Sequence, residues 1–254
     1  MASNILLIAD TQCKPEQEWP HLAQLGRFIV DKRPDVIVHI GDHWDMPSLS
    51  AYDRGTAKAE GKRVYQDIAA GNAAMDVLLH DLHKLQAKQR RNKEKVYKPR
   101  KVFCVGNHEQ RIIRHVNANP ELQGFLDYSH LKLDGWEAYD FLEPVQIEGI
   151  LFSHYFANPH SGKPIGGTIQ NRLNKIKESF VQGHQQAFMY DKVYTLNRVL
   201  CGIVAGAFYL HDEEYMGHQG NRQHWRGICM LKDAEDGHFA VDEYRIEDIM
   251  EGRW

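Results

Sequence analysis

The stretch Val36-Ile37-Val38-His39-Ile40-Gly41-Asp42-His43-Trp44-Asp45 decides the fold of this chain. Its first five residues form a mostly apolar run, whose length and branched side chains are typical of a buried β-strand. The run then gives way to a glycine and two carboxylates. The same pattern returns at Lys101–Val105, an apolar run that leads into Gly106-Asn107-His108-Glu109. Both stretches therefore predict polar groups at the carboxyl end of a buried strand.

An earlier strand and helix complete the first folding unit. Asn4–Ala9 is a continuous apolar run that ends at Asp10, and it predicts another buried strand. Trp19–Lys32 has apolar residues at helical spacing, and Pro34 follows as a stop signal. A strand, a helix and a strand in this order predict a βαβ unit with two parallel strands.

The rest of the chain continues as helices and strands and becomes rich in strands toward its end. We predict helices at Lys62–Gln89, Glu109–Asn117 and Thr168–Ser179, and strands at Lys101–Val105, Val145–His154 (a hairpin or two short strands), Phe180–Gln182, Lys192–Leu200, Gly202–Leu210, Ile228–Lys232 and His238–Ile246. Pro120–Pro144 is expected to be helical in patches. With no repeat or linker, the sequence indicates one α/β domain over residues 1–254, with a small cap or insertion within 112–144 as the alternative to simple wall packing.

Composition excludes several classes of protein. The net charge is −3 with histidine counted neutral, so no overall field commits the chain to nucleic acid or to a membrane surface. No apolar run approaches the ~20 residues of a membrane span, and the N-terminus has no secretory pattern. The four cysteines form no CxxC pair and read as buried free thiols. We therefore expect a soluble, cytoplasmic protein without a membrane partner.

Polar residues follow five of the predicted strands. They are Asp10-Thr11-Gln12, Gly41-Asp42, Gly106-Asn107-His108-Glu109, His154 and Gly183-His184-Gln185-Gln186. The carboxyl ends of strands in an open α/β sheet converge on one crevice, where ligands bind. Carboxylates, an amide and imidazoles in one crevice make a site for divalent cations of borderline hardness.

The order of these five motifs resembles the calcineurin-like metallophosphoesterase family. That resemblance implies a four-layer αββα sandwich, in which two mixed β-sheets are flanked by helices. It also implies an enzyme that hydrolyses phosphate mono- or diesters through a hydroxide bridging two divalent metal ions. The ligands it implies are Asp10, Gln12, Asp42, Asn107, His154, His184 and Gln186. Asp42 would bridge the two ions.

The resemblance also assigns residues outside the metal shell. His108 would be the acid and phosphate-binding group, and Asp45 would hydrogen-bond to it and orient it. Arg111 lies one helical step further along and is a candidate clamp for a phosphate oxygen, on position alone.

Two ligand positions depart from the family. Gln12 and Gln186 stand where the family usually has histidine, and both fall on the centre that Asp10 completes. An amide supplies a neutral oxygen in place of an imidazole nitrogen, which favours Mn²⁺ or Mg²⁺ over Zn²⁺ or Fe. Three outcomes stay open: the centre holds a hard ion, it is weak and fills only with substrate, or it is empty.

Other features leave the substrate open. Lys84–Lys101 contains nine Lys or Arg and one acid, so it is either a solvated helix end or a polyanion contact beside the site, which would favour a nuclease. A phosphoprotein or small-nucleotide phosphatase is an alternative, and a non-catalytic metal-binding module is the alternative of another class. His43 is expected to face substrate or solvent. A polar segment near the C-terminus is expected to be a surface loop rather than a second metal site. It contains Glu214 and the histidines His211, His218 and His224.

Overall fold

A computed structural model describes residues 2–213 and 217–254. The strands within those residues are β1 (Ser3–Ile8), β2 (Val36–His39), β3 (Arg100–Cys104), β4 (Glu137–Tyr139), β5 (Val145–Ile147), β6 (Ile150–Phe152), β7 (Ser179–Gln182), β8 (Phe188–Tyr194), β9 (Val199–Ala205), β10 (Gly227–Glu235) and β11 (His238–Arg245). The α-helices are α1 (Pro20–Lys32), α2 (Val64–Arg91), α3 (Gln110–Ala118), α4 (Ile169–Ile176), α5 (Gly217–Asn221) and α6 (Ile246–Met250).

The strands form two mixed sheets, as predicted. The first sheet has the order β11-β10-β1-β2-β3-β4, in which β1 to β4 are parallel and β10 and β11 are antiparallel. The second has the order β5-β6-β7-β9-β8, with a parallel centre and antiparallel edges. Helices α1, α2 and α6 cover the first sheet, and α4 covers the second. This is the αββα sandwich that the sequence predicted.

Side chains along each strand point alternately to the two faces of the sheet, and this divides the core into layers. In β1, Ile5 and Leu7 face the second sheet, while Leu6 and Ile8 face the helices. Successive side chains of a strand point to opposite faces, so a strand that is apolar throughout must be covered on both sides. The apolar runs that predicted β1, β2 and β3 are buried on both faces along most of their length.

The sequence predicted the wrong position for the turn of one hairpin. We predicted strands at 192–200 and 202–210, but β8 and β9 end and begin around a turn at residues 195–198. The Thr195 hydroxyl and amide both donate to the Arg198 carbonyl, at 2.6 and 2.9 Å, and close the turn. Leu196 lies at its tip and is 99% exposed, so an apolar side chain had concealed the turn.

The segment before β5 contributes to the first sheet. It contains two 3₁₀ turns and β4, which pairs with β3. Leu131 and Trp136 are buried in the same core as Phe103. This segment is therefore packed wall with a strand, where we had expected helical patches.

The cysteines and the helices were also expected to have particular properties from the composition. All four cysteines are buried free thiols, as predicted. In the parts of the chain that the structure describes, no helix is both long and apolar enough to span a bilayer.

Packing between α1 and α2 should dominate the stability of the helical layer. Leu78 on α2 is completely buried, so Leu78→Ala should lower the free energy of unfolding by about 2–5 kcal/mol, through lost burial and a cavity. Leu196→Ala is the matched control, and we expect a change within about 0.5 kcal/mol because the side chain is exposed. Urea denaturation of both variants measures the difference. Equal losses would contradict the assigned core.

Candidate metal centre

Five loops meet at the carboxyl ends of β1, β2, β3, β6 and β7. Backbone hydrogen bonds join them directly: Gln12 donates to the Asp42 carbonyl at 2.9 Å, and Gly183 donates to the His154 carbonyl at 3.1 Å. The His184 amide donates to the Asp10 carboxylate at 3.2 Å, which connects a loop of the second sheet to one of the first. The convergence predicted from the strand ends is therefore present.

Two glycines allow the β2 and β3 loops to touch. A Cβ on Gly41, at φ +82°, would lie 2.5 Å from both the Cys104 carbonyl oxygen and the Gly106 nitrogen. A Cβ on Gly106 would lie 2.2 Å from an Asp42 carboxylate oxygen. The glycine in each motif is thus required by close approach of two backbones.

Five of the seven candidate ligands have left-handed backbone conformations. Their φ values are +44° for Asp10, +42° for Gln12, +52° for Asp42, +68° for His184 and +58° for Gln186. A non-glycine residue in this region is strained by about 1–3 kcal/mol and persists where the surroundings over-determine it. These loops therefore fix their side chains at a cost in stability, as functional sites do.

Asp42, His154 and His184 form a compact group of potential ligands. One ligand atom from each lies within 4.8 Å of the others. His154 Nε2 lies 3.4 Å from Asp42 Oδ2 and 2.8 Å from Asn107 Oδ1. Its Nδ1 lies 2.7 Å from the Ile40 carbonyl, to which it can only donate, so the neutral ring presents Nε2 to a cation. This group fits one divalent ion.

The other predicted ligands are also buried, and the Asp10 and Gln12 loops hydrogen-bond to the His184 and Asp42 loops. Asp10 is fully buried, Gln12 is 2% exposed and Gln186 is 6% exposed. Asp10 Oδ2 and Gln12 Oε1 are buried oxygens without a hydrogen-bond partner among the described residues. Buried oxygens of this kind are costly unless they are satisfied, and a cation would satisfy both. The residues present therefore fit a second ion.

The two aspartates have opposite electrostatic environments. Burial raises the pKa of Asp10 to about 7, and the neighbouring Asp42 carboxylate adds to the increase. Burial also acts to raise the pKa of Asp42, but the His108 and His154 imidazoles outweigh it and hold this pKa well below its usual range. Asp42 is thus ionised between the His108 and His154 imidazoles. A negatively charged carboxylate in this position suits a ligand that bridges two cations.

The two histidine ligands also differ. Burial acts to lower the pKa of His154, but Asp42 outweighs it and raises the pKa to about 9. Burial, assisted by His154, lowers the pKa of His184 to about 4. His184 is therefore ready to ligate at neutral pH, whereas His154 carries a proton that a cation must displace.

His108 and Asp45 form a pair next to the metal group. His108 Nδ1 lies 2.8 Å from Asp45 Oδ1, and its Nε2 lies 3.7 Å from Asp42 Oδ2. The His108 amide also donates to Asp42 Oδ1 at 2.9 Å. Burial acts to lower the pKa of His108, but the Asp42 and Asp45 carboxylates outweigh it and raise this pKa. The pair has the contact that the sequence predicted for it.

Arg111 contacts the backbone of the same loop. Its Nη1 donates to the Asp45 carbonyl at 2.8 Å and to the Met46 carbonyl at 3.2 Å. This nitrogen therefore supports the loop that carries Asp45, and the role of Arg111 as a phosphate clamp stays a prediction.

The sequence did not reveal the importance of Glu109. Its buried carboxylate accepts four backbone N–H groups, from Asp42, His43, Trp44 and Gly106, at 2.7–3.0 Å. It therefore fastens the β2 loop to the β3 loop. The only signal in the sequence was its place in the Gly106–Glu109 motif. The motif does not show which backbone N–H groups the carboxylate accepts.

The prediction for His43 was wrong. The side chain is fully buried and lies 2.7 Å from the Thr11 hydroxyl through Nδ1 and 2.9 Å from the Gly71 carbonyl through Nε2. It packs behind the site because adjacent residues at a strand end point in different directions. His43 therefore joins the β1 loop to α2, and it faces neither substrate nor solvent.

The basic run does not lie beside the site. Gly71 on α2 contacts the β2 loop, and α2 then advances roughly 30 Å to Arg91. Arg100 begins β3 at the end of the sheet opposite to the site, where it pairs with Val36. The helix carries these charges away, so they cannot serve as the polyanion contact that we had considered.

The C-terminal histidines make contacts of their own. His211 Nε2 lies 2.6 Å from Glu213, and His224 Nδ1 lies 2.7 Å from the Tyr209 hydroxyl. Glu214 lies outside the described residues, and nothing is described of the His218 side chain.

Sequence comparison agrees with this geometry. The sequence model of the calcineurin-like phosphoesterases matches residues 3–229. The chain belongs to the calcineurin-like phosphoesterase family. The match runs from β1 into β10 and includes all five loops of the site.

Individual relatives of the phosphoesterase are distant or match only in part. The Gene 54 proteins of Mycobacterium phages D29 and L5 are each 37% identical over 67 residues, which is 26% of this chain and 26% of theirs. The match thus spans about a quarter of their length. A predicted phosphoesterase from Streptococcus pneumoniae TIGR4 has 9% identity and a TM-score of 0.39, covering 97% of this chain and 91% of its own. YfcE, a phosphoesterase from E. coli, has 10% identity and a TM-score of 0.37, covering 96% and 99%.

Metal binding to this phosphoesterase should depend on pH. A cation must displace the proton of His154, whose pKa is about 9, and compete with the proton of Asp10, whose pKa is about 7. The apparent affinity for Mn²⁺ should therefore rise from about pH 6 to about pH 9, with proton release on binding. Calorimetry in buffers of different ionisation enthalpy measures both. An affinity that is constant over this range would contradict these pKa values.

Proposed function

We propose that this phosphoesterase binds two divalent cations that share Asp42 and hydrolyses phosphate mono- or diesters. His154, His184 and Asn107 would hold one cation, and Asp10, Gln12 and Gln186 would hold the other. The observation that carries the proposal is the position of the His108–Asp45 pair. It lies 3.7 Å from Asp42, beside the candidate ligands, where a phosphoester on the metals would meet it.

The metals and the protein would have separate tasks. When bound, two divalent cations lower the pKa of water and neutralise charge on the phosphoryl oxygens. His108 would donate a proton to the leaving oxygen or hydrogen-bond to the oxyanion, and the raised pKa of its imidazole favours the protonated form that these roles need. Asp45 would hold the ring through Nδ1 and leave Nε2 for the substrate. Arg111 would hold the Asp45 loop through Nη1, and its remaining N–H groups would be the ones to reach a phosphate oxygen.

Mn²⁺ is our proposed metal. Gln12 and Gln186 offer amide oxygens, which suit harder cations, while His154 and His184 offer nitrogens, which suit borderline ones. Mn²⁺ accepts both kinds of ligand. The orphaned buried oxygen of Gln12 supports a filled second centre over an empty one.

The surroundings of the site favour a compact organic leaving group over a long polyanion. Tyr155 lies against His184, with ring centroids 4.8 Å apart, and also lines a cavity of about 640 Å³. The cavity is mostly apolar, and its other lining residues include Leu142, Phe156 and Ile165. Its volume is typical of small-molecule sites. With the basic run at the far end of the sheet, a small phosphoester is the better substrate class than nucleic acid.

His108→Ala should separate catalysis from metal binding. We expect kcat on bis-p-nitrophenyl phosphate or p-nitrophenyl phosphate with Mn²⁺ to fall about 10²–10⁴-fold, the usual contribution of a general acid. Metal content by elemental analysis should remain that of the wild type, because His108 lies outside the ligand set. His80→Ala is the control and should keep full activity, because the His80 side chain is exposed on the surface of α2.

Either of two results would overturn this role for His108: full activity in the variant, or loss of metal together with activity. Wild-type protein that binds Mn²⁺ and is silent on both substrates would favour a non-catalytic metal-binding module.

The two glutamines should set the metal preference. Wild-type protein should be more active with Mn²⁺ than with Zn²⁺, whereas the double variant Gln12→His, Gln186→His should gain activity with Zn²⁺ because it gains two nitrogen ligands. Activity of the metal-stripped protein, titrated with each ion, measures the preference. Equal activity of the wild-type protein with Zn²⁺ alone would contradict the proposed preference for Mn²⁺.

A further inference from the structure

Gln186 has a partner that Gln12 lacks. The Tyr209 hydroxyl donates to Gln186 Oε1 at 2.8 Å, and His224 Nδ1 lies 2.7 Å from the same hydroxyl. Gln12 Oε1 is buried without a hydrogen-bond partner among the described residues. The two amide oxygens that we propose as ligands therefore have different surroundings.

The hydrogen-bond chain has one consistent direction. An amide oxygen only accepts, so the phenolic proton of Tyr209 must point toward Gln186. The phenolic oxygen then accepts from His224, which requires the tautomer with the proton on Nδ1. Gln186 Oε1 has two lone pairs, and this chain occupies one of them. The other is available to a cation.

The surrounding backbone fixes the same arrangement. Gln186 adopts φ +58°, and its carbonyl accepts from the Trp225 amide at 2.9 Å. Tyr209 is 1% exposed and stacks on His211 with ring centroids 4.4 Å apart. The phenol therefore cannot swing away from Gln186 without disturbing buried packing.

We propose that Tyr209 and His224 are positioning residues that turn the amide oxygen of Gln186, rather than its NH₂ group, toward a divalent cation. An NH₂ group carries protons and repels a cation, so the orientation of the amide decides whether Gln186 is a ligand. In other metal sites a carbonyl or carboxylate fixes a ligating imidazole in the same way. The inference rests on the proposed ligand role of Gln186.

Tyr209→Phe tests this directly, because it removes one oxygen and keeps the ring that stacks on His211. We expect one of two Mn²⁺ equivalents to bind about 10–100-fold more weakly, the usual effect of losing such a partner, while the other is unchanged. Calorimetric titration with Mn²⁺ measures both sites without reference to activity. Tyr194→Phe is the matched control, since Tyr194 is exposed, and it should bind as the wild type does.

A second variant guards against misfolding. His224 is only half-buried, and His224→Ala leaves the phenol in place but frees its orientation, so the same Mn²⁺ equivalent should weaken by less than in Tyr209→Phe. Thermal unfolding of each metal-free variant shows whether the fold is intact.

Gln186→Ala separates the two possible failures. If Gln186→Ala weakens one equivalent and folded Tyr209→Phe binds both as tightly as the wild type, the positioning role is overturned and the ligand role stands. If Gln186→Ala itself binds both equivalents normally, the ligand assignment in the proposed function is wrong, and the positioning role falls with it.

Discussion

The Glu109 carboxylate is the interaction on which the rest of the site depends. It accepts backbone N–H groups from both the β2 loop and the β3 loop, in a space that exists only because Gly41 and Gly106 lack a Cβ. A buried carboxylate is costly unless its oxygens are fully bonded, and here four donors meet that need. Asp42 and His108 are consequently placed against each other by the scaffold before any metal or substrate arrives.

The same arrangement explains why strained backbone persists at the ligands. Each left-handed loop is fixed by hydrogen bonds to a neighbouring loop, such as Gln12 to Asp42 and His184 to Asp10. The parallel strands beneath bring those loops to one edge of each sheet. A rigid two-sheet core thus stabilises loops whose backbone conformations would be unfavourable by themselves.

The sequence predicted the part of the site that depends on strand ends. Asp10, Asp42 and His154 follow buried strands, and the convergence of strand ends brought them together as expected. It did not predict what depends on contacts between distant loops: the four bonds to Glu109, the burial of His43, or the phenol behind Gln186. Such contacts depend on the mutual position of backbones, which local composition does not encode. The β8–β9 turn was missed for a simpler reason, because Leu196 continues an apolar pattern that the chain does not bury.

We propose that two cations share Asp42 in unequal surroundings. Anomalous scattering from a crystal grown with Mn²⁺ would locate them. We expect two peaks joined by the Asp42 carboxylate, one ligated by Asn107, His154 and His184, the other by Asp10, Gln12 and Gln186, with His108 ligating neither. A single peak at the histidine group, with Gln12 and Gln186 turned away from it, would show that the two cations do not share Asp42.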